Sequence, residues 1–253
     1  MIYHPETWKH TSPDTSGWHE VISPENSQCS EVRIFRLNLK KHSVFEIGME
    51  LELTGVIISG KVSTSGETLE QYDSFYLPGG TGITVTALED SVIYLGGAVS
   101  DAPGEVFFMH FNRELPLGDI HQVHGVPPYD REVFFTLPPH VPASRLIAGL
   151  SWSRNGTWTS WPPHQHEKDL EEAYFYFGPE KPQFGMHLSF LESGKPDVVH
   201  TIAAGDCVEA PVGYHPTVAA PGGENAYFWV LAARKPSSRR YDLAVEDPCY
   251  AKF

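Results

Sequence analysis

The sequence predicts an all-β protein built from many short strands with few short helices. Three observations support this prediction. Helical periodicity is scarce along the 253 residues, short β-rich runs follow one another closely, and the strand–helix alternation of a Rossmann fold is not seen. The 22 glycines and 21 prolines separate these runs as turns. Such a pattern is typical of a sandwich or a barrel.

Ten β-rich runs are the clearest strand predictions. In chain order they cover residues 32–39, 53–59, 83–87, 92–95, 106–110, 132–137, 146–152, 173–177, 186–190 and 226–232. A weak internal repeat relates the two halves, because an acidic turn precedes a short apolar strand ending in Pro and Gly at 72–80 and again at 202–213. We therefore expect two barrels, at residues 1–137 and 138–253.

Two further segments lie outside the barrel strands. The Pro-rich segment 138–142 is interpreted either as the connector between the halves or as an ordinary surface loop. The polar segment 235–253 is expected to cover a barrel mouth, to dock on another subunit, or to be a loosely held tail.

Composition and charge exclude several classes of protein. Hydrophobic residues make up 41% of the chain, enough for a sizeable core, which excludes global disorder. The net charge of −14 and the lack of a basic stripe argue against nucleic-acid or anionic-membrane partners. Three widely spaced cysteines without a CxxC motif favour a reducing compartment. With no signal-peptide pattern and no 18-residue apolar stretch, we expect a cytoplasmic protein.

A pair of histidines carries the strongest functional signal. His164 and His166 are separated by one residue, and on an extended strand such side chains point to the same face. Both imidazoles can then aim at one point, a metal–nitrogen bond of about 2.1 Å away. A carboxylate from Glu171 or Glu172, and His215 in a Gly-Tyr-His-Pro segment, complete a mixed nitrogen and oxygen set. The sequence thus predicts a divalent ion such as Zn, Mn, Fe, Ni or Co.

These motifs, taken together, resemble those of the cupins, and most closely the 5-deoxy-glucuronate isomerase family of myo-inositol breakdown. The relative 5-keto-4-deoxyuronate isomerase of pectin breakdown is also similar. The resemblance covers residues 146–233 and is carried by the segments SWPPHQH, LEEAYFYF, FGM, GDCVEAPVGYHPTVAAPG and AYFWVLAA. It implies a bicupin of two jelly-roll-like barrels with the metal in the C-terminal one. The N-terminal barrel, which has no HxH motif, is expected to be structural.

The resemblance also implies an activity, the metal-dependent aldose–ketose isomerisation of a deoxy-uronic acid, in a homo-oligomer with Zn or Mn as the preferred ion. The commoner cupin spacing favours Glu171 as the carboxylate ligand. In the resembling families, however, the ligand directly precedes the aromatic strand, and we therefore favour Glu172. The expected proton-transfer groups are Glu171 and His187, with Tyr176 as an alternative.

A uronate carboxylate needs a cationic partner, and Arg145 and Arg154 are the candidates. The chain departs from the resembling family at Val212 and at 177–178, where the isomerases tend to carry Arg, and at His187, where they tend to carry Gln. These departures bear on the substrate rather than on the metal or the fold. A cupin dioxygenase and a sugar-acid-binding cupin are the alternative functions. Histidines outside these motifs are expected at the surface or in loops.

Overall fold

The computed structural model describes residues 2–102, 104–127, 129–153 and 156–250, and within them the chain is nearly all β-structure. In chain order the strands are β1 (Lys9–Thr11), β2 (Gly17–Ile22), β3 (Arg33–Leu39), β4 (Val44–Met49), β5 (Leu51–Ser59), β6 (Val62–Thr64), β7 (Glu67–Leu69), β8 (Ser74–Leu77), β9 (Thr81–Ala87), β10 (Ser91–Val99), β11 (Phe107–Met109) and β12 (His121–His124). They continue with β13 (Arg131–Leu137), β14 (Leu146–Ser153), β15 (Trp158–Thr159), β16 (His164–Gln165), β17 (Leu170–Gly178), β18 (Gly185–Ser189), β19 (Val198–Ile202), β20 (Asp206–Ala210), β21 (Thr217–Ala219), β22 (Asn225–Ala233) and β23 (Val245–Glu246). Short 3-10 helices cover Pro5–Thr7, Pro236–Ser238 and Tyr241–Leu243.

The predicted all-β fold is confirmed, and each of the ten predicted runs coincides with an observed strand to within a few residues at its ends. The structure adds short strands that the hydrophobic pattern did not reveal, among them β6, β7, β15 and β16. Strands this short contain too few residues for an alternating pattern to stand out.

Besides the two-stranded sheet of β16 and β23, the described residues form two large and two small sheets. The strand order of the first large and small sheets recurs in the second ones, except that the second large sheet has the additional edge strand β12. The first half has the orders β11-β8-β5-β10-β3-β2 and β4-β9-β6-β7. The second half has the orders β1-β20-β17-β22-β14-β13-β12 and β15-β21-β18-β19. The two strands that follow the repeated acidic turns, β8 and β20, occupy equivalent places beside β5 and β17. The internal repeat seen in the sequence is therefore a repeat of topology.

The large sheets do not divide at the boundary expected between residues 137 and 138, because three strands that precede it belong to the large sheet of the second half. Strand β1 pairs with β20 of the second half, whereas β11 pairs with β8 inside the first. Strands β12 and β13 also belong to the seven-stranded sheet, where β13 pairs with β14. After β1 the chain returns to this sheet between β11 and β12, and the Pro-rich segment 138–142 connects two neighbouring strands.

Three apolar clusters make up the core. One lies within the first half and includes Leu53 and Val85, and another lies within the second half around Tyr174. The third fills the space between the two large sheets, where Tyr94 stacks on Phe175. This interface contains side chains from both halves at full burial, so the halves pack against each other as closely as each packs internally.

Two buried carboxylates join the halves in a reciprocal arrangement. Glu52, the second residue of β5, accepts hydrogen bonds from three successive backbone N–H groups at 144–146, at 2.5–2.8 Å. Glu171, the second residue of β17, accepts hydrogen bonds from three successive N–H groups at 30–32, at 2.7–3.2 Å. Each half thereby satisfies backbone donors that the other half buries.

Two further observations concern the cysteines and the helices. Cys29, Cys207 and Cys249 are free thiols in the structure. Among the described residues, no helix is long and apolar enough to cross a membrane.

Candidate metal centre

Four side chains from separate parts of the second half converge on one point. The candidate ligand atoms of His164, His166, Glu172 and His215 all lie within 4.8 Å of one another. The Nε2 atoms of His166 and His215 lie 2.9 and 3.1 Å from Oε2 of Glu172. Two donors bound to one ion at about 2.1 Å lie roughly 3.0–3.4 Å apart in octahedral or tetrahedral geometry. The spacing therefore fits donors that share a single ion.

The HxH pair is held by the C-terminal part of the chain. His164 lies on β16, where it pairs with Glu246 of β23. The amide of Asp247 donates a 2.8 Å hydrogen bond to the carbonyl of Pro163. Within the described part of the chain, β16 has no strand partner other than β23. We call residues 244–250 the C-terminal strap. Ala244 and Glu246 of the strap line the cavity that opens onto the cluster.

Strand alternation along β17 selects between the two glutamates. Glu172, Tyr174 and Tyr176 point into the second half, whereas Phe175 points to the interface with the first half. Because neighbouring side chains on a strand point to opposite faces, Glu171 shares the face of Phe175. The cluster accordingly contains Glu172 and not Glu171.

The position of Glu171 corrects its expected role in proton transfer. Its side chain is buried at 1% exposure, and its carboxylate also accepts a 2.9 Å charged hydrogen bond from Arg234. With the backbone donors of 30–32, this arrangement occupies both carboxylate oxygens on the face of β17 opposite the cluster. Glu171 therefore has no path to a molecule bound at the cluster, and its role is to hold the two halves together.

His187 is likewise kept away from the cluster. It is fully buried, its Nδ1 lies 2.7 Å from the hydroxyl of Tyr176, and its ring packs against the ring edge of Tyr174. Burial, followed by the charge of His215, lowers the pKa of His187 well below its usual value. A neutral imidazole behind Tyr174 does not touch a bound molecule, so the expectation that His187 acts as the base is corrected.

A glycine turn places His215. Gly213 has φ = 75°, and a Cβ at this position would lie 2.6 Å from the carbonyl oxygen of Phe190. A residue with a side chain is excluded there both by backbone conformation and by space. The turn brings the Nδ1 atom of His215 to 3.0 Å from the carbonyl of Gly213 and leaves Nε2 facing the cluster.

The three imidazoles are oriented in the same way. Each Nδ1 lies 3.0–3.3 Å from a backbone carbonyl oxygen, those of Pro162, Leu170 and Gly213. A carbonyl only accepts hydrogen bonds, so Nδ1 carries the proton and a neutral ring presents its Nε2 lone pair to the centre. Nε2 of His215 is buried and has no hydrogen-bond partner among the residues that the structure describes. A cation shared by these atoms would offset the repulsion between the imidazole lone pairs and the carboxylate.

The protonation states suit metal binding at neutral pH. Burial, then the charges of His215 and His166, lower the pKa of His164 to about 3. Burial by itself raises the pKa of Glu172, but His166 and His215, whose Nε2 atoms lie 2.9 and 3.1 Å from its Oε2, outweigh burial and hold that pKa well below its usual range. Neutral imidazole and ionised carboxylate are the forms that bind metals. The cluster therefore has the donors to hold a divalent ion.

A cavity of about 220 Å³ opens onto the cluster. His164, His166 and Glu172 line it directly. Aromatic side chains form much of the remaining wall: Trp161, Tyr174, Tyr227, Trp229 and Tyr241. A mainly aromatic cavity with a few polar groups and a metal-binding cluster is the usual form of a small-molecule site.

Three charged or titratable residues of this cavity were not found from the sequence. Arg131 and His124 come from β13 and β12, and Glu246 comes from the strap. His124 was expected at the surface, and β13 was expected in the first half. No local motif marks these residues, because they reach the cavity only through the pairing of β12, β13 and β23 into the second half.

One of the two arginines expected to bind a substrate carboxylate, Arg145, does not line the cavity. It forms ion pairs with Asp101 and Glu31 instead. The other, Arg154, lies outside the described residues. Among the described residues, Arg131 is the arginine that lines the cavity.

The chain is similar to several known proteins. It is 29% identical over 243 residues to 5-deoxy-glucuronate isomerase of Geobacillus kaustophilus (strain HTA426), covering 87% of this chain and 82% of that protein. It is 26% identical over 239 residues to the enzyme of the same name from Bacillus subtilis (strain 168), with 83% of each chain covered.

Solved structures show the same fold. An IolB-like protein from Salmonella typhimurium LT2 superposes with a TM-score of 0.82 at 22% identity, covering 97% of this chain and 98% of that one. Oxalate decarboxylase from Bacillus subtilis, a bicupin, superposes with a TM-score of 0.64 at 13% identity, covering 91% and 77%. These likenesses confirm the predicted bicupin fold. Residues 8–250 match the model of the KduI/IolB family, and the chain belongs to that family.

Proposed function

We propose that this protein is a metal-dependent aldose–ketose isomerase acting on a deoxy-uronic acid, most like 5-deoxy-glucuronate isomerase. The observation that carries the proposal is the buried cluster of three imidazoles and one carboxylate at an aromatic cavity. Membership of the KduI/IolB family and relatives named 5-deoxy-glucuronate isomerase support the choice of reaction. Zn and Mn suit this donor set. A homo-oligomer stays a prediction.

The residues of the cluster prepare the site for an isomerisation. A divalent ion bound there would polarise a carbonyl and the adjacent hydroxyl and so acidify the proton on the carbon that bears this hydroxyl. The backbone carbonyls that fix each Nδ1 keep the three Nε2 atoms aimed at the centre of the cluster. The hydroxyl of Tyr174 bonds to Ser160 at 2.7 Å, and burial together with the charge of Glu172 raises its pKa, so it stays protonated.

Glu246 is the group we assign to proton transfer. Glu171 and His187 do not line the cavity, whereas His124 and Glu246 are described residues that line it outside the cluster and can accept a proton. Glu246 pairs directly with His164 across β16 and β23, and directly paired residues project their side chains to the same face. The carboxylate of Glu246 therefore lies on the side of His164 that faces the cluster.

The test combines metal analysis with NMR observation of 5-deoxy-glucuronate. The purified protein is expected to contain a divalent metal and to isomerise this substrate without oxygen uptake. The variant His215→Ala should lose both metal and turnover, whereas His4→Ala, which changes an exposed histidine, should keep both. Glu246→Gln should keep the metal and lose about 10²- to 10⁴-fold in kcat.

Four outcomes would contradict the proposal or part of it. Turnover retained after metal removal would exclude the mechanism. Oxygen uptake with a small aromatic or thiol substrate would select a dioxygenase instead. Tight binding of a uronate without turnover would select a sugar-acid-binding protein. Full activity of Glu246→Gln would remove only the assignment of the base.

A further inference from the structure

We propose that Arg131 binds the carboxylate of an acidic sugar in the cavity and so sets the specificity of the site for sugar acids over neutral sugars. This inference rests on the proposed function and names the residue that binds the carboxylate of the substrate. Arg131 becomes the specificity residue that the sequence sought in Arg145 and Arg154.

The fold directs the side chain of Arg131 into the second half. Arg131 is the first residue of β13, and Val133 and Phe135 on the same strand belong to the core cluster of the second half. Alternate residues on a strand share a face, so Arg131 points the same way as these two. Its side chain lines the cavity that also contains His164 and Glu172.

Most N–H donors of the Arg131 guanidinium have no partner among the described residues. Its one polar contact among the described residues is a long hydrogen bond of 3.4 Å from Nη1 to the carbonyl of Trp161. No carboxylate within the described part of the chain lies within ion-pair distance of it. Four other arginines are neutralised by a carboxylate in this way: Arg113, Arg145, Arg234 and Arg240. A guanidinium carries five N–H donors, so most donors of Arg131 lack a partner.

A carboxylate is the ligand group that best fits such an arginine. Two parallel N–H···O bonds hold a carboxylate in the plane of the guanidinium, and the charges strengthen both bonds. Arg131 is the one Lys or Arg among the described residues that line the cavity. The acidic groups of the cavity, Glu172 and Glu246, repel a second carboxylate, so an acidic sugar is oriented with its acid group at Arg131 and its reacting end at the cluster.

The test measures binding separately from turnover. Titration calorimetry on the metal-loaded protein uses D-glucuronate and D-glucose as probes, which differ by a carboxylate in place of a hydroxymethyl group. We expect the wild type to bind D-glucuronate more tightly than D-glucose. Arg131→Met should weaken D-glucuronate binding by about 10- to 150-fold, the range for charged hydrogen bonds, and leave D-glucose binding unchanged.

Two further variants separate recognition from folding. Arg131→Lys keeps the charge but loses the planar fork, so its affinity for D-glucuronate should lie between those of the wild type and Arg131→Met. Arg240→Met makes the same change at an exposed arginine that is paired with Asp242, and it should behave as the wild type. Metal content and a cooperative thermal melt show that each variant is folded.

The outcomes distinguish this inference from the proposed function. Equal weakening of both sugars by Arg131→Met, or no weakening of either, overturns the role of Arg131 even if the protein isomerises 5-deoxy-glucuronate. A wild type that binds both sugars alike also overturns it. If D-glucuronate binding depends on Arg131 but 5-deoxy-glucuronate is not converted, the inference stands and the proposed reaction fails.

Discussion

Replacement of Glu171 by glutamine tests the role that the structure gives to this buried carboxylate. In the native protein its two oxygens accept hydrogen bonds from the backbone of 30–32 and from Arg234, at 1% exposure. Glutamine has the same shape, but it carries no charge and turns one acceptor oxygen into an NH₂ donor. That donor faces backbone N–H groups that are themselves donors, and Arg234 loses its counter-charge.

The expected cost follows from these contacts. Hydrogen bonds to a charged group contribute about 1.5–3 kcal/mol each, and breaking a buried ion pair costs about 3–5 kcal/mol. Glutamine retains one acceptor, so we expect the free energy of unfolding to fall by about 3–5 kcal/mol. For a chain of this size the melting temperature should then fall by roughly 6–20 °C.

Urea unfolding and thermal melts measure this effect, with Glu52→Gln as the matched control. Glu52 accepts the same three kinds of backbone hydrogen bond from 144–146 but has no ion-pair partner among the described residues, so Glu52→Gln should be destabilised somewhat less than Glu171→Gln. Below its lowered melting temperature, Glu171→Gln should keep its metal and its kcat. If Glu171→Gln loses turnover while its stability is unchanged, Glu171 takes part in catalysis and the assignment made here is wrong.

Two other predictions concern the cavity. Burial, then the charge of Arg131, lowers the pKa of His124 to about 4, so the unfolded chain, with a pKa near 6.5, takes up this proton first. The free energy of unfolding should therefore fall as the pH drops from about 6.5 to about 4. In urea unfolding, His124→Gln should lose less of this free energy than the wild type between pH 7 and pH 5. An equal loss in both proteins contradicts the prediction. Ending the chain after residue 243 removes the strap that pairs with His164, so metal affinity in a chelator competition should fall by about 10- to 100-fold. As the control, a chain that ends after residue 250 should keep the affinity of the full chain. An unaltered affinity of the shorter chain would show that the strap does not support the cluster.

The metal cluster shows which parts of the site were accessible from the sequence. The i, i+2 spacing of His164 and His166 is a local pattern, and an extended backbone converts it directly into a shared direction. The alternation along β17 is equally local, and it correctly placed Tyr174 and Tyr176 on the face of Glu172. His215 was found through its Gly-Tyr-His segment. The turn before it requires a positive φ at residue 213, and glycine adopts this conformation without strain, so the turn can be recognised in the sequence.

The interpretation of the sequence failed for residues whose position is set by contacts with distant segments of the chain. Glu171 was assigned to proton transfer although alternation already placed it on the other face, because its actual partners at 30–32 lie about 140 residues earlier and carry no motif. His187 shares a strand that borders the site, but Tyr174 lies between it and the cavity. The expected boundary after residue 137 was misplaced, and Arg131 was missed as a cavity residue, for one reason: β13 belongs to the second large sheet.

The amino-acid sequence alone determined the all-β class, the ten main strands, the internal repeat and the three histidines of the candidate metal cluster, and it left the carboxylate between Glu171 and Glu172. These features follow from residue spacing, since the backbone of a strand or turn translates neighbouring positions into fixed directions. The tertiary structure alone decided the pairing of β1, β12 and β13 into the second large sheet, the burial of Glu171 and His187, the pairing of the strap with β16 and the presence of Arg131 in the cavity. Those features arise from contacts between distant segments, and the pairing of distant strands leaves no periodic trace in a single chain.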